Sequence, residues 1–232
     1  VASRYRNLFF DLDDTLWAFS ENARDTFEAM YEKHRYGRYF DSFEHFYTLY
    51  TQRNLQLWEE YGRGLITKDE LNRQRFFYPL QQVGVEDAGL AQDFSRDFFA
   101  VIPTCRKLMP HARETLEYLH SRYRLYILSN GFRELQYRKM CSAGIENYFR
   151  KVVLSDDIGI LKPHIEIFHF AMSATQSELQ ESLMIGDNWE NDIVGARNAG
   201  MHQVYYHPTA DTSLPFHPTY HISDLQELTT FL

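Results

Sequence analysis

The stretch Phe9-Phe10-Asp11-Leu12-Asp13-Asp14-Thr15-Leu16 joins the end of an apolar run to a pair of acids. Leu8, Phe9 and Phe10 read as the last residues of a buried strand. Asp11 and Asp13 follow two residues apart, and then comes the hydroxyl of Thr15. Residues at that spacing share a face on a strand, and a turn beyond the strand end can still hold them close. Paired carboxylates suit a hard divalent cation such as Mg2+, which takes oxygen ligands and accepts few of them from protein. One of the pair can act as a nucleophile in aspartyl-phosphate chemistry, with its neighbour as general acid and base. The same residues would also make a plain Asp-rich turn, since Asp favours turns through local hydrogen bonds. Partners further down the chain decide between the two.

The surrounding composition is that of a folded chain. Its 232 residues are 44% apolar and 24% charged, with 11 Gly and 7 Pro, enough for one domain or one domain carrying a smaller insertion. The 16 Tyr and 18 Phe point to helices packed through aromatic faces. A net charge of -8 argues against a nucleic-acid duplex as partner, which needs a basic surface, but permits a small phosphorylated metabolite held by local cations. Cys105 and Cys141 are too few for a disulfide framework and fit a reducing, cytoplasmic setting. No apolar run reaches the roughly 18 residues of a membrane helix, and Val1-Ala2-Ser3-Arg4 lacks the core of a signal peptide, so no membrane association is expected. The chain opens on Val1, as a trimmed or processed chain would.

Residues 5–10 read as the first strand. From Trp17 to Ala100 the pattern is helical: Phe27, Met30 and Tyr31 recur at i, i+3, i+4, and so do Phe43, Phe46, Tyr47 and Tyr50. Gly62 and Gly64 end the second helix, and Thr67-Lys68-Asp69-Glu70 reads as a capping box for the third. A fourth helix spans Leu90–Val101. This all-α stretch, residues 17–100, lies between α/β segments and reads as a cap inserted into a core of residues 1–16 and 101–232. Further strands are expected at Leu125–Leu128, Val152–Leu154, Leu183–Ile185 and Val204–Tyr206. Helices are expected from Pro110, through Leu135 and Met140, over Ile165–Met172, over Ile193–Ala199, and after Ser223-Asp224-Leu225-Gln226. Strands alternating with helices imply an α/β fold, a Rossmann-like doubly wound parallel sheet whose ligands sit at the carboxyl ends of its strands.

Three more clusters fall at such ends. Ser129-Asn130-Gly131 offers a hydroxyl and successive backbone N–H groups ahead of a helix, a natural phosphate cradle, although an ordinary N-cap and turn would look the same. Lys162, before Pro163, is a cation that can neutralise both a phosphoryl oxygen and a carboxylate nucleophile, where most lysines are merely solvated. Gly186-Asp187-Asn188-Trp189-Glu190-Asn191-Asp192 sets two acids five apart straight after a buried strand. Asp187 can complete a Mg2+ shell, with Asn188 and Asp192 in support, or the run can serve as an acidic helix start.

The order of these clusters resembles the haloacid-dehalogenase-like hydrolase superfamily, whose motifs take the forms DxDxT, a lone Ser/Thr, Lys, and GDxxxxD. The resemblance spans roughly residues 5–206, and the helical insert resembles that superfamily's small cap, which would control access and selectivity. It implies that Asp11 is the nucleophile and Asp13 the acid that protonates the leaving oxygen and then activates water. It implies Ser129 and Lys162 as phosphate binders, and Asp11, Asp187 and the Asp13 carbonyl as Mg2+ ligands. Thr15 would support the first motif, and Asp192 is the last motif's other acid.

The halide-removing branch lacks an acid two residues after its nucleophile, so Asp13 favours phosphoryl transfer. Phosphonate-cleaving relatives use a cap lysine as a Schiff base, for which Lys33 and Lys68 are the candidates. Sugar-phosphate phosphatases and phosphomutases share all four motifs. A receiver-like phospho-acceptor domain is excluded by length, by the insert, and by the position of its acceptor acid. Within the phosphatases, Leu57-Trp58-Glu59-Glu60-Tyr61-Gly62-Arg63-Gly64-Leu65-Ile66-Thr67 and Ser129-Asn130-Gly131-Phe132 resemble the bacterial pyrimidine 5′-nucleotidase branch, which implies a nucleoside monophosphate substrate.

Overall fold

Asn7-Leu8-Phe9-Phe10 forms the first strand, β1 (Asn7–Phe10), and all four residues are buried. A strand apolar on both sides needs cover on both, which parallel neighbours reached through helical crossovers provide. The computed structural model describes residues 4–208 and 214–232, so Val1-Ala2-Ser3 of the opening stretch lie outside the described residues. In chain order β1 is followed by four helices, α1 (Phe19–Lys33), α2 (Phe43–Gly62), α3 (Lys68–Gln82) and α4 (Ala88–Val101). Then come α5 (Ala112–His120), β2 (Arg124–Ser129), α6 (Arg133–Ala143), β3 (Lys151–Leu154), α7 (Ile165–Thr175) and β4 (Ser182–Gly186). A π-helical segment, Trp189–Val194, runs into α8 (Gly195–Asn198), followed by β5 (His202–Tyr206), β6 (Tyr220–Ile222) and α9 (Leu228–Phe231).

The strands make one parallel sheet in the order β3-β2-β1-β4-β5-β6. Strand order reverses between β1 and β4, and a doubly wound sheet leaves a crevice beyond its carboxyl ends at such a switch point. Phe10 is in register with Ile127 of β2 and Ile185 of β4, so Asp11, Ser129 and Gly186 leave the sheet at the same end. Phe9 stacks on Tyr126 at 4.9 Å and packs with Leu128, Val153, Met184 and the α7 residues Ile167, Phe168 and Ala171. Each large apolar side chain so buried contributes about 1.5–3 kcal/mol.

The chain divides into two compact units, Val1–Phe19 with Arg106–Leu232, and Ser20–Cys105. The first holds the sheet. The second is helical and built on aromatic packing: the rings of Phe46, Tyr47, Tyr50, Phe76, Phe94 and Phe98 lie 4.3–6.2 Å from that of Phe27. Its helix α3 opens on the expected capping box, Thr67 accepting from the Glu70 N–H and Glu70 from the Thr67 N–H.

Two elements differ from the sequence pattern. β6 is an additional strand, because Tyr220-His221-Ile222 is too short and too polar to show a period. Where regular helix is expected over Ile193–Ala199, the chain takes the wider π turn first, and that turn carries the fully buried Asp192. Helix α5 starts at Ala112, just past Pro110. Neither cysteine is in a disulfide, and among the described residues no helix is long and apolar enough to cross a membrane.

Candidate active site

Asp11 is the first residue beyond β1. Its N–H donates to the Ile185 carbonyl at 2.9 Å, which continues the β1–β4 ladder and leaves the carboxylate at the switch point, 9% exposed. The chain then folds back: the N–H groups of Leu16 and Trp17 both donate to the Leu12 carbonyl, at 3.0 and 2.9 Å. Asp14 takes the left-handed conformation within this turn (φ 58°), which Asp tolerates because its short polar side chain bonds locally. The turn seats the buried Thr15. Its hydroxyl donates to Asp187 Oδ1 at 2.8 Å and accepts from the Asp187 N–H at 3.1 Å, tying the first motif to the last.

Lys162 is buried, and its Nζ donates to Asp192 Oδ1 (2.6 Å), the Leu128 carbonyl (2.8 Å) and Asp11 Oδ1 (2.9 Å). The other Asp192 oxygen accepts from the Asn188 N–H at 3.0 Å, while Asn188 Oδ1 caps the π turn by accepting from the Asn191 N–H at 2.9 Å. Gly186 leaves the room this requires: a Cβ there would stand 2.2 Å from Asp192 Oδ2. The Asn130 side chain grips the backbone of Lys162, donating to its carbonyl (2.9 Å) and accepting from its N–H (2.8 Å).

Ser129, buried at the end of β2, accepts hydrogen bonds from the Gly131 N–H (3.2 Å) and from Gln136 Nε2 (2.8 Å). Asp13 is half-buried, and both its oxygens are engaged by α6: Lys139 Nζ donates to Oδ1 at 2.7 Å and Gln136 Nε2 to Oδ2 at 3.0 Å. Sequence reading missed Gln136 and Lys139. Their signal was a pair of polar residues three apart on the helix that opens from Ser129-Asn130-Gly131, hence on one face. It is faint because a helical lysine is normally solvated. Lys33 and Lys68 belong to the other unit.

Carboxylate oxygens of Asp11, Asp187 and Asp192 all lie within 4.8 Å of one another. Burial, reinforced by Asp192, Asp187 and Asp13, pushes Asp11 well above the usual carboxylate range against the opposing pull of Lys162. Burial and Asp192 push Asp187 up to about 7, with the Thr15 hydrogen bond pulling the other way. Burial alone would lower Lys162, but Asp11 and Asp192 outweigh it and its pKa rises. A buried, all-oxygen donor set of this kind fits a hard divalent cation.

Two acids just past the end of β1, the first of them bonded to a buried lysine that also holds Asp192, agree with the family this chain matches. Residues 5–200 match the family model of haloacid dehalogenase-like hydrolases, and the chain belongs to that family. It is 30% identical over 234 residues to the pyrimidine 5′-nucleotidase YjjG of Escherichia coli (strain K12), covering 97% of this chain and 96% of that one. It is 32% identical over 204 residues to a glyceraldehyde 3-phosphate phosphatase of Pyrococcus abyssi (strain GE5 / Orsay), covering 86% of this chain and 80% of that one. The crystal structure of HAD-hydrolase YfnB of Bacillus subtilis bound to magnesium superposes with a TM-score of 0.87 at 27% identity, over 98% of each chain.

Proposed function

We propose that this chain is a Mg2+-dependent phosphomonoesterase acting through an aspartyl-phosphate on Asp11, with nucleoside monophosphates, pyrimidine ones among them, as substrates. The observation that carries the reading is the Asp11 carboxylate at the switch point with one oxygen on the buried Lys162 ammonium, 2.9 Å away. Such a carboxylate is aimed and its charge partly neutralised, so that an anionic phosphate can approach. The relatives that are pyrimidine 5′-nucleotidases support the substrate class. In this reading the sheet unit is a catalytic core, the helical insertion a second domain, and the setting a reducing cytoplasm that suits two cysteines outside any disulfide.

An Asp11 oxygen attacks phosphorus, the bond to the ester oxygen breaks, and that oxygen takes a proton from Asp13. Water then attacks the same phosphorus and gives its proton to Asp13, and the bond to Asp11 breaks to release inorganic phosphate. Lys162 and the Ser129 hydroxyl bind phosphoryl oxygens, with the backbone N–H groups of Asn130 and Gly131 beside them. Both hydrogen bonds described for Ser129 Oγ are ones it accepts, which leaves its own O–H to donate. Asp192 and Asn188 hold Lys162 and the π turn in place. Asp11, Asp187 and the Asp13 backbone carbonyl would hold the Mg2+ ion, which supplies positive charge against the phosphoryl oxygens when bound.

Phosphate release from nucleoside monophosphates, sugar phosphates and an aryl phosphate tests this reading. Nucleoside monophosphates are expected to turn over fastest, excess chelator to abolish turnover, and added Mg2+ to restore it. Fastest release from a sugar phosphate would favour the second reading, a sugar-phosphate phosphatase, which the glyceraldehyde 3-phosphate phosphatase relative supports. Conversion to a phosphosugar isomer without net release would mean a phosphomutase. No release from any ester overturns the proposal.

Metal binding should also depend on pH. Asp187 keeps its proton until about pH 7, and Mg2+ binding must displace it. Affinity for Mg2+ is expected to rise about tenfold per pH unit from pH 5 to 7 for each proton released, then level off. Titration calorimetry at several pH values, in buffers of different ionisation enthalpy, reads both the affinity and the protons released. A pH-independent affinity would remove Asp187 from the ligand set.

A further inference from the structure

We propose that Gln136 and Lys139, both on α6, are positioning residues that aim the acid–base carboxylate of Asp13 and reference it to the phosphate-binding hydroxyl of Ser129. The proposal rests on the reading of Asp13 as acid and base given above. Asp13 sits within the turn that follows β1, its side chain 28% exposed, and no hydrogen bond described from that turn fixes where its carboxylate points. Helix α6 does that. Lys139 takes one carboxylate oxygen and Gln136 the other, at 2.7 and 3.0 Å. The same Gln136 nitrogen donates to Ser129 Oγ at 2.8 Å, so its two N–H bonds span the acid–base group and the cradle.

Burial argues that these side chains are not surface decoration. Gln136 is fully buried and Lys139 is 3% exposed. A buried ammonium costs several kcal/mol unless it is paired, and apolar side chains would fill the space more stably. Lys139 has a carboxylate on one side and aromatic rings on the other, its Nζ lying 4.7 Å from the centre of the Trp17 ring and 5.2 Å from that of Phe19. Both rings belong to the segment that carries Asp13. An ammonium held between a charge and two π faces has little rotamer freedom left, and it transmits that rigidity to Asp13.

Gly131 fits the same arrangement. Its φ is not among the positive ones, so the backbone does not demand glycine there. A Cβ at that position would, however, stand 2.2 Å from Gln136 Nε2. The glycine of the cradle is the space into which the Gln136 amide fits.

Misaiming Asp13 should have a signature that general damage lacks. An aryl alcohol leaves without help from an acid, so forming the phosphoenzyme from an aryl phosphate barely needs Asp13, whereas its hydrolysis needs Asp13 as base. For Lys139→Met, kcat on the aryl phosphate is expected to fall roughly 10–100-fold, while kcat/KM stays within about threefold. A burst of one aryl alcohol per enzyme should appear. On a nucleoside monophosphate, whose leaving oxygen needs the proton, kcat and kcat/KM should fall together. Gln136→Met should give the same burst and also lower kcat/KM for every substrate, since Ser129 loses a partner; it serves as the second arm should Lys139→Met not fold.

Rapid quench and steady-state kinetics on variants matched to the wild type in circular dichroism and melting make the test. Folded variants that lose kcat and kcat/KM equally on both substrates with no burst, or that lose neither, overturn the positioning role. A wild type without phosphatase activity would instead sink the reading beneath it. A burst in Asp13→Asn alongside normal kinetics in both α6 variants would sink only the positioning.

Discussion

Asp11→Asn is expected to abolish turnover, by more than about 10⁴-fold, and to leave no phosphoryl group on the protein. A neutral amide is a poor nucleophile, and Asp11 is the carboxylate held against the Lys162 ammonium. Asp13→Asn should behave differently. In the proposed mechanism it removes the group that serves both halves of the reaction, so both steps are expected to slow by about 10²–10⁴-fold where a proton must move. With an aryl phosphate only the second step is badly impaired, and the aspartyl-phosphate should accumulate. Intact-mass measurement after rapid quench would show one added phosphoryl group, and peptide mapping would place it on Asp11. A phosphoryl group on Ser129, or near-normal turnover by Asp11→Asn, would overturn the mechanism.

Lys162→Met should be costly for the fold as well as for the chemistry. Lys162 donates to Asp11 and to Asp192, and Asp192 is fully buried. Removing the ammonium leaves buried carboxylates facing one another, and breaking a buried pair in this way costs about 3–5 kcal/mol. For a chain of this length that corresponds to a fall of roughly 6–20 °C in Tm. The effect has a pH sign. Burial already raises Asp11 and Asp187 in the wild type, and the folded state holds protons that the unfolded state releases. Their contribution to the stability of the metal-free protein is therefore full below the ordinary carboxylate range and is lost as pH rises through about 7. Without Lys162 the shifts grow, so the gap between variant and wild type should widen with rising pH, in melting curves recorded with chelator. Equal stability at pH 8 would mean that Lys162 does not hold these charges together.

The strand-and-acid pattern of Leu8 to Thr15 was legible because each residue there answers to a local rule. An apolar run must be buried, and acids two apart after it have few structural uses. The same holds for Leu183-Met184-Ile185 ahead of Gly186-Asp187, and for the capping box at Thr67. Periodicity of 3.6 in the aromatic residues revealed the helical insertion, and Phe27, Phe46 and Phe94 are its core. What a chain can encode in neighbouring residues, it declares in order. Only the tertiary structure decided which distant side chains meet. Register and the reversal of strand order between β1 and β4 bring Asp11 beside Lys162, 151 residues away, and Thr15 beside Asp187, 172 residues away. Asp192 carries its motif in the sequence, but its bond to Lys162 depends on a π turn that no residue pattern announces. Lys139 and Gln136 left only a faint signal for the same reason. A lysine in a helix is solvated by default, and whether it is instead buried on Asp13 depends on what the sheet places opposite that face, a contact that no local rule of spacing or composition encodes.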